Sequence, residues 1–167
     1  MTLDVRVAVP DDAPAVRRVA RASWLAAYDD VVAEERIEAA IADWYDVADL
    51  RASIGRADAR MLIAERGDEV VGFGQALVAE PTDEAGAELA RLYVHPDRWN
   101  EGIGSTLLDR LEDWLRERGA DAVRLAVLAD NDAANAFYES RGYRRVDSRE
   151  MDLKGETVDD YVREKGL

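Results

Sequence analysis

The chain has no cysteine and a single histidine, His95. The first absence excludes a disulfide framework, a thiol nucleophile and any thiolate metal site. The second excludes a zinc centre built on several histidines. Lysine is nearly missing too: apart from Lys154 and Lys165, the basic residues are all arginine. No apolar run approaches the roughly 18 residues of a membrane span, and the opening residues lack a signal-peptide core. A cytoplasmic protein without a membrane partner is therefore expected. Repeats, low-complexity tracts and long linkers are also absent, so one domain over residues 1–167 is expected.

Negative charge is abundant. Thirty-six acidic residues against 22 basic ones leave a formal net charge of −14. Such a surface repels nucleic acid and anionic lipid, so nucleic acid is not an expected partner. The acids lean to aspartate and the bases to arginine, the opposite of the lysine and glutamate enrichment of hyperthermophiles. Self-repulsion of this size is tolerable where salt screens it, the Debye length at molar salt being about 3 Å. The balance points to a salt-adapted, halophilic protein, with an ordinary acidic protein as the alternative. With 48% hydrophobic residues the chain still has ample material for a core.

Residues 3–9 alternate apolar and polar, the two-residue period of a half-buried strand. Pro10-Asp11-Asp12 then opens a helix with Ala13, Val16, Val19, Ala20 and Trp24 at helical spacing. The same spacing predicts helices over 34–44 and 48–54. Strands are expected over 60–65 and 69–77 around the hairpin signal Gly67-Asp68, and a loop over 82–87. A strand over 89–94 stops at His95-Pro96, and a helix over 102–118 carries the stripe Ile103, Leu107, Leu108, Leu111, Trp114 and Leu115. Val123, Leu125 and Val127 alternate as another strand. A short helix over 133–140 and a strand pair, 143–153 and 157–163, complete the order. This mixture implies an α/β (α+β) fold with one central sheet.

Chemistry concentrates between Leu92 and Ser105, in Leu-Tyr-Val-His-Pro-Asp-Arg-Trp-Asn-Glu-Gly-Ile-Gly-Ser. A strand runs through a short loop into a helix whose start holds Gly102 and Gly104. Unpaired N–H groups and the helix dipole make that end a site for phosphate or another anion, and Arg98 adds a charge-assisted contact. The other reading is that the glycines allow tight strand–helix packing. The segment lacks the Gly-Lys-Ser/Thr ending of a phosphate loop and the third glycine of a dinucleotide fingerprint. About thirty residues on come Asn131, Ala134, Phe137, Tyr138, Gly142 and Tyr143. Asn131 either caps the short helix or presents its amide to a ligand. Tyr138 either packs or, with an ordinary pKa near 10, hands a proton to a leaving thiolate. His95, beside Pro96, reads as a turn residue.

The two segments, in this order, resemble the GCN5-related N-acetyltransferase (GNAT) superfamily over nearly the whole chain. Gly102 and Gly104 match the Gly-x-Gly/Ala of its Arg/Gln-x-x-Gly-x-Gly/Ala signature, while Trp99 stands where Arg or Gln is usual and Arg98 lies one residue before. Asn131, Ala134, Phe137-Tyr138 and Gly142-Tyr143 match its second pattern. The resemblance implies a mixed, mostly antiparallel sheet of about seven strands flanked by helices, with a splayed central pair forming the cofactor cleft. It implies acetyl-coenzyme A as cofactor and direct transfer to a primary amine of a small molecule or peptide. A non-catalytic acyl-coenzyme A-binding sensor or assembly module is the alternative. Relatives often form homodimers, but no segment here selects an interface.

Carried over by position, the implied cofactor site comprises Leu92, Tyr93, Val94, Arg98, Trp99, Asn100, Glu101, Gly102, Ile103, Gly104, Ser105, Asn131 and Tyr138. The Leu92–Val94 backbone pairs with the pantetheine arm, the Val94 N–H polarises the thioester, and amides from Asn100 to Gly104 hold the pyrophosphate. Tyr138 matches the general acid. Glu88 is the candidate base, with a solvated strand-end charge as the other reading. In relatives the acceptor lies between the first helices and the last strands, which makes Trp24, Tyr28, Asp29, Asp30 and Trp44 candidates. Packing and general surface acidity are the alternatives for these.

Overall fold

The computed structural model describes residues 2–78 and 86–167. Seven strands form one sheet: β1 (Leu3–Val7), β2 (Ala59–Arg66), β3 (Glu69–Val78), β4 (Ala87–Val94), β5 (Ala122–Leu128), β6 (Arg144–Leu153) and β7 (Glu156–Gly166). Their order is β1-β2-β3-β4-β5-β7-β6, antiparallel throughout except where β4 meets β5. Five helices cover the faces: α1 (Ala13–Tyr28), α2 (Glu34–Trp44), α3 (Val47–Ile54), α4 (Ile103–Glu117) and α5 (Asp132–Ser140). No helix among the described residues is long and apolar enough to cross a membrane.

The two-residue period of β2 sends successive side chains into two different cores. Met61 and Ile63 join α1, α2 and α3 on one face, with Phe73, Leu50 and Ile41. Leu62 and Ala64 join α4 on the other, with Leu107, Leu111 and Leu115. The sheet is thus covered on both sides, which is why its inner strands read as nearly continuous apolar runs. The helix α4 lies so close to β3 that a Cβ on Gly74 would stand 2.8 Å from the Leu111 Cδ1. Glycine there lets the helix seat on the sheet.

Expected and observed elements agree in type and differ at their ends. The first strand stops at Val7, not Val9, because the Val9 N–H donates to the Asp12 carboxylate at 2.8 Å and the chain turns through a 3₁₀ segment at Pro10–Asp12. The last strand runs on to Gly166, since β5 supplies partners as far as the Ala122–Gly166 pair. Of the loop expected over 82–87, residues 82–85 lie outside the described residues, and Ala87 already opens β4. The exposed edge strand β6 is dense in charge and carries a bulge between Arg145 and Asp147, features that discourage pairing with another chain.

Asp12 ties β1 to the first helix. Its carboxylate accepts two bonds from the Arg6 guanidinium, at 2.7 and 2.8 Å, besides the Val9 amide, and Arg6 also bonds Glu65. The Arg6 bonds hold the Asp12 carboxyl below the ordinary aspartate range. A carboxylate held low stabilises the fold above its unfolded pKa, and that contribution fades as pH falls through the folded value. Asp12→Asn is expected to cost about 1–2 kcal/mol near neutral pH, the partly solvated arginine keeping the figure modest. In urea unfolding the gap to the native chain should shrink below about pH 4; a gap that persists in acid would contradict the assignment.

Candidate active site

The defining irregularity is between β4 and β5. They run parallel and are paired at Glu88 and Arg124, near their starts. Toward Val94 and Leu128 they part. The register with β3 skips Ala90, placing a bulge in β4 at the onset of the divergence, and bulges bend the strand that carries them. A cavity of about 810 Å³ opens in the gap.

One wall of this cavity is made of backbone. The His95 N–H donates to the Val71 carbonyl at 2.8 Å, so His95 and Tyr93 face β3. Backbone direction alternates along a strand, so Leu92 and Val94 turn their N–H and C=O groups toward the gap. The indole of Trp99 donates to the Val94 carbonyl at 2.8 Å, which leaves the Val94 N–H as the forward-facing donor. Beyond the turn, Gly102 adopts the left-handed conformation (φ 81°) and caps α4. The N–H groups of Ile103, Gly104 and Ser105 then occupy the first helical turn, where no carbonyl of the helix reaches them.

The packing reading of the two glycines does not hold. A Cβ on Gly102 would meet nothing within 4 Å, and one on Gly104 would make only ordinary contacts, 3.8 Å from Phe137 and Val94. Gly102 is required by its backbone conformation, and Gly104 keeps the floor of the cavity low. Leu92, Tyr93, Val94, Arg98, Trp99, Asn100, Gly102, Ile103, Gly104, Ser105, Asn131 and Tyr138 all line the cavity. Glu101 does not: its carboxylate pairs with Arg66 at 3.2 Å and approaches Arg98 at 4.0 Å. His95 is the expected turn residue, its Nδ1 accepting from the Asp97 N–H at 3.2 Å.

The opposite wall belongs to α5 and α1. Asn131 takes the capping role: its Oδ1 caps α5 by accepting from the Ala134 N–H at 3.0 Å, while its amide donates to the Tyr28 hydroxyl at 2.9 Å and so ties α5 to α1. Buried Asn135 donates to the carbonyls of Leu128 and Asn131 and accepts from Arg163 at 3.0 Å, which moors α5 to β5 and β7. This mooring fixes Tyr138, whose ring packs against Phe137 and Tyr143 at 5.2 and 5.6 Å. Burial, reinforced by the neighbouring Tyr28, pushes the Tyr138 hydroxyl far above the ordinary phenol range, so it keeps its proton at neutral pH.

Trp24, Tyr28 and Trp44 line the cavity while also belonging to the α1–α2 core, so packing and pocket are here the same residues. The Trp24 ring lies 4.8 Å from Tyr28, 5.8 Å from Trp44 and 6.4 Å from Tyr93. Burial pushes the phenol of Tyr45 up to about 12 and raises those of Tyr28 and Tyr93. Arg91 donates to the Trp44 carbonyl at 3.2 Å and lies 4.9 Å over the Tyr45 ring.

Four sequence expectations are corrected. Glu88 stands exposed at the pinned end of β4 and does not line the cavity, because the strands open at their other end. Asp29 and Asp30 are exposed just beyond α1 and also lie off the cavity, directly past the inward-facing Tyr28. Glu101, as noted, turns to Arg66. Sequence reasoning missed Tyr45, Arg91 and Asp160, all of which line the cavity. The signal for Asp160 was present: it shares the phase of Val158 and Val162 on β7, an acidic residue at an inward position.

An extended backbone edge beside a helix N-terminus, with a protonated phenol across the gap, defines a site for transferring an acyl group from a long anionic carrier. Residues 15–143 match the Acetyltransferase (GNAT) family. The chain is 29% identical to a spermidine N(1)-acetyltransferase of Thermoplasma acidophilum, over 92% of this chain and 95% of that protein. Among solved structures it is similar to the PaiA N-acetyltransferase of T. acidophilum in complex with coenzyme A, at TM-score 0.88, 29% identity and full coverage of both chains. A GCN5-related N-acetyltransferase from Rhodopseudomonas palustris follows at TM-score 0.81 and 28% identity, covering 100% of this chain and 97% of that one. The chain belongs to the GNAT acetyltransferase family. It is an acetyl-coenzyme A-dependent N-acetyltransferase.

Since nothing packs against Gly104 tightly, a larger residue there should block the cradle without loosening the fold. Gly104→Val is expected to leave the thermal midpoint near that of the native chain. By titration calorimetry it should weaken coenzyme A binding about tenfold or more, some 1.4 kcal/mol. Unchanged affinity would separate the helix start from the cofactor.

Proposed function

We propose that the chain transfers an acetyl group to a primary amine of a small molecule by direct attack in a ternary complex. The carrying observation is the single cavity that joins the parted strands, the start of α4 and Tyr138. Acetyl-coenzyme A supplies a thioester, which needs positioning and an oxyanion donor more than further activation. Leu92 and Val94 offer the extended backbone edge for the pantetheine arm, and the Val94 N–H polarises the carbonyl. The amides of Ile103, Gly104 and Ser105 hold the pyrophosphate with the help of the helix dipole, and Arg98 adds a charge at the rim. Trp99, in the place of the family's usual Arg or Gln, positions the strand end through its bond to the Val94 carbonyl. As the new C–N bond forms and the C–S bond breaks, Tyr138 Oη gives its proton to the departing sulfur, and the proton released by the nitrogen restores the phenol.

The acceptor enters from the aromatic side, between α1, the end of α2 and β7. A small-molecule amine is supported by the relative named for spermidine, and the enclosed aromatic wall suits an alkyl chain better than a folded protein surface.

Tyr138→Phe removes the hydroxyl and keeps the ring. It is expected to lower kcat about 10²-fold or more, within the usual range for general acids, with little change in the KM for acetyl-coenzyme A. Native turnover in that variant would remove the assignment.

A chain of charge −14 that grips an anion with main-chain dipoles should gain from screening. Coenzyme A affinity is expected to hold or rise as KCl increases, and the fold to be firmer in salt. A steep fall in affinity with KCl, as at a lysine-rich patch, would contradict the dipole-based site.

A further inference from the structure

Asp160 is the one carboxylate among the described residues that line the cavity. It sits on β7, paired in register with Leu128 at the open end of β5 and with Arg149 on β6, and is only 5% exposed. Its side chain accepts no hydrogen bond from any described residue. Its nearest counter-ion is Arg149, 3.7 Å away and itself 55% exposed. A carboxylate this buried, with one distant and solvated partner, is under-compensated, since buried charges are ordinarily paired and hydrogen-bonded. Burial accordingly disfavours its charged form. Tyr28 is close enough for the two groups to interact electrostatically, and the ring of Trp24 follows at 4.8 Å from Tyr28. The cations of the cavity lie against other groups: Arg91 bonds the Trp44 carbonyl through Nη2 and covers the Tyr45 ring, its buried Nη1 having no hydrogen-bond partner, and Arg98 lies beside Glu101.

We propose that Asp160 is a specificity-determining residue that binds a second, charged amino group of the acceptor, so that the preferred substrates are aliphatic diamines and polyamines. The inference deepens the amine-acetyltransferase reading above and rests on it. An ammonium paired with a carboxylate keeps its proton, and a protonated amine has no lone pair with which to attack a thioester. The group held at Asp160 is therefore not the one acetylated; a neutral amino group at the other end of the same molecule attacks. The carboxylate completes one side of the ammonium's surroundings, and the faces of Trp24 and Tyr28 supply cation–π contact along the alkyl chain.

The test compares 1,4-diaminobutane and spermidine with butylamine, which has the same alkyl length as the diamine and no second charge. In the native chain kcat/KM for the diamine should exceed that for butylamine about tenfold or more, a difference of 1.4 kcal/mol. Asp160→Asn should erase the preference by raising the KM of the diamine and of spermidine, with kcat nearly kept and butylamine unaffected. Coenzyme A affinity, measured by calorimetry, reports whether that variant is folded. Arg149→Gln removes the competing cation and should lower the KM of the diamine, an effect that a purely structural Asp160 would not produce. Equal losses for all three amines in Asp160→Asn, or a diamine KM that neither variant moves, would overturn the assignment. Failure of the native chain to bind coenzyme A would instead strike the underlying acetyltransferase reading, and calorimetry separates the two.

Discussion

Two parallel strands that begin as partners and then separate impose the constraint around which the molecule is arranged. Backbone N–H and C=O groups inside a protein must find partners, and the ends of β4 and β5 forgo each other. The loss is tolerated because each strand stays bonded on its far side, β4 to β3 and β5 to β7, over most of its length. The bulge at Ala90 turns β4 away, and α4, seated on the glycines of β3, covers the face beneath. The backbone left open at Leu92 and Val94 becomes a strip of donors and acceptors for an extended ligand. Catalytic readiness thus comes from an interruption in the sheet, not from an added element.

Electrostatics divides that cavity into two unlike ends. At one, a very acidic chain presents positive potential without lysine, through amides at the start of α4. At the other, one carboxylate and the Arg91 guanidinium stand among a cluster of phenols and indoles. Between them stands the Tyr138 phenol, protonated at neutral pH as phenols are and shifted further up by burial. The overall charge of −14 therefore says little about the polarity of the site. Dipoles and desolvation act over a few ångströms, while the surface charge is screened over a similar distance in salt.

The fold was legible wherever burial leaves a period. Helix α2 and the stripe of α4 followed from helical spacing, and the strands around Gly67-Asp68 followed from alternation and a turn. Element ends were harder to place, because partners outside the segment decide them. The Asp12 carboxylate takes the Val9 amide and ends β1, and β5 extends β7 to Gly166. The donor half of the site was equally legible, since its parts lie within a few residues of one another between Leu92 and Ser105, where spacing along the chain nearly fixes spacing in space.

The acceptor half was not, and the reason is distance along the chain. Tyr28, Trp44, Arg91 and Asp160 come from four separate elements, and only the assembled sheet with α1 and α2 upon it brings them to one cavity. Adjacent residues were misread for the same cause: Asp29 points out where Tyr28 points in, and Glu88 sits at the pinned end of a strand whose other end opens. By itself the sequence determined the order of elements, the charge and the local anion cradle, all of which depend on neighbours within a turn or a strand. Which carboxylate lines the cavity was decided by tertiary structure, because side-chain direction and burial are properties of the packed sheet.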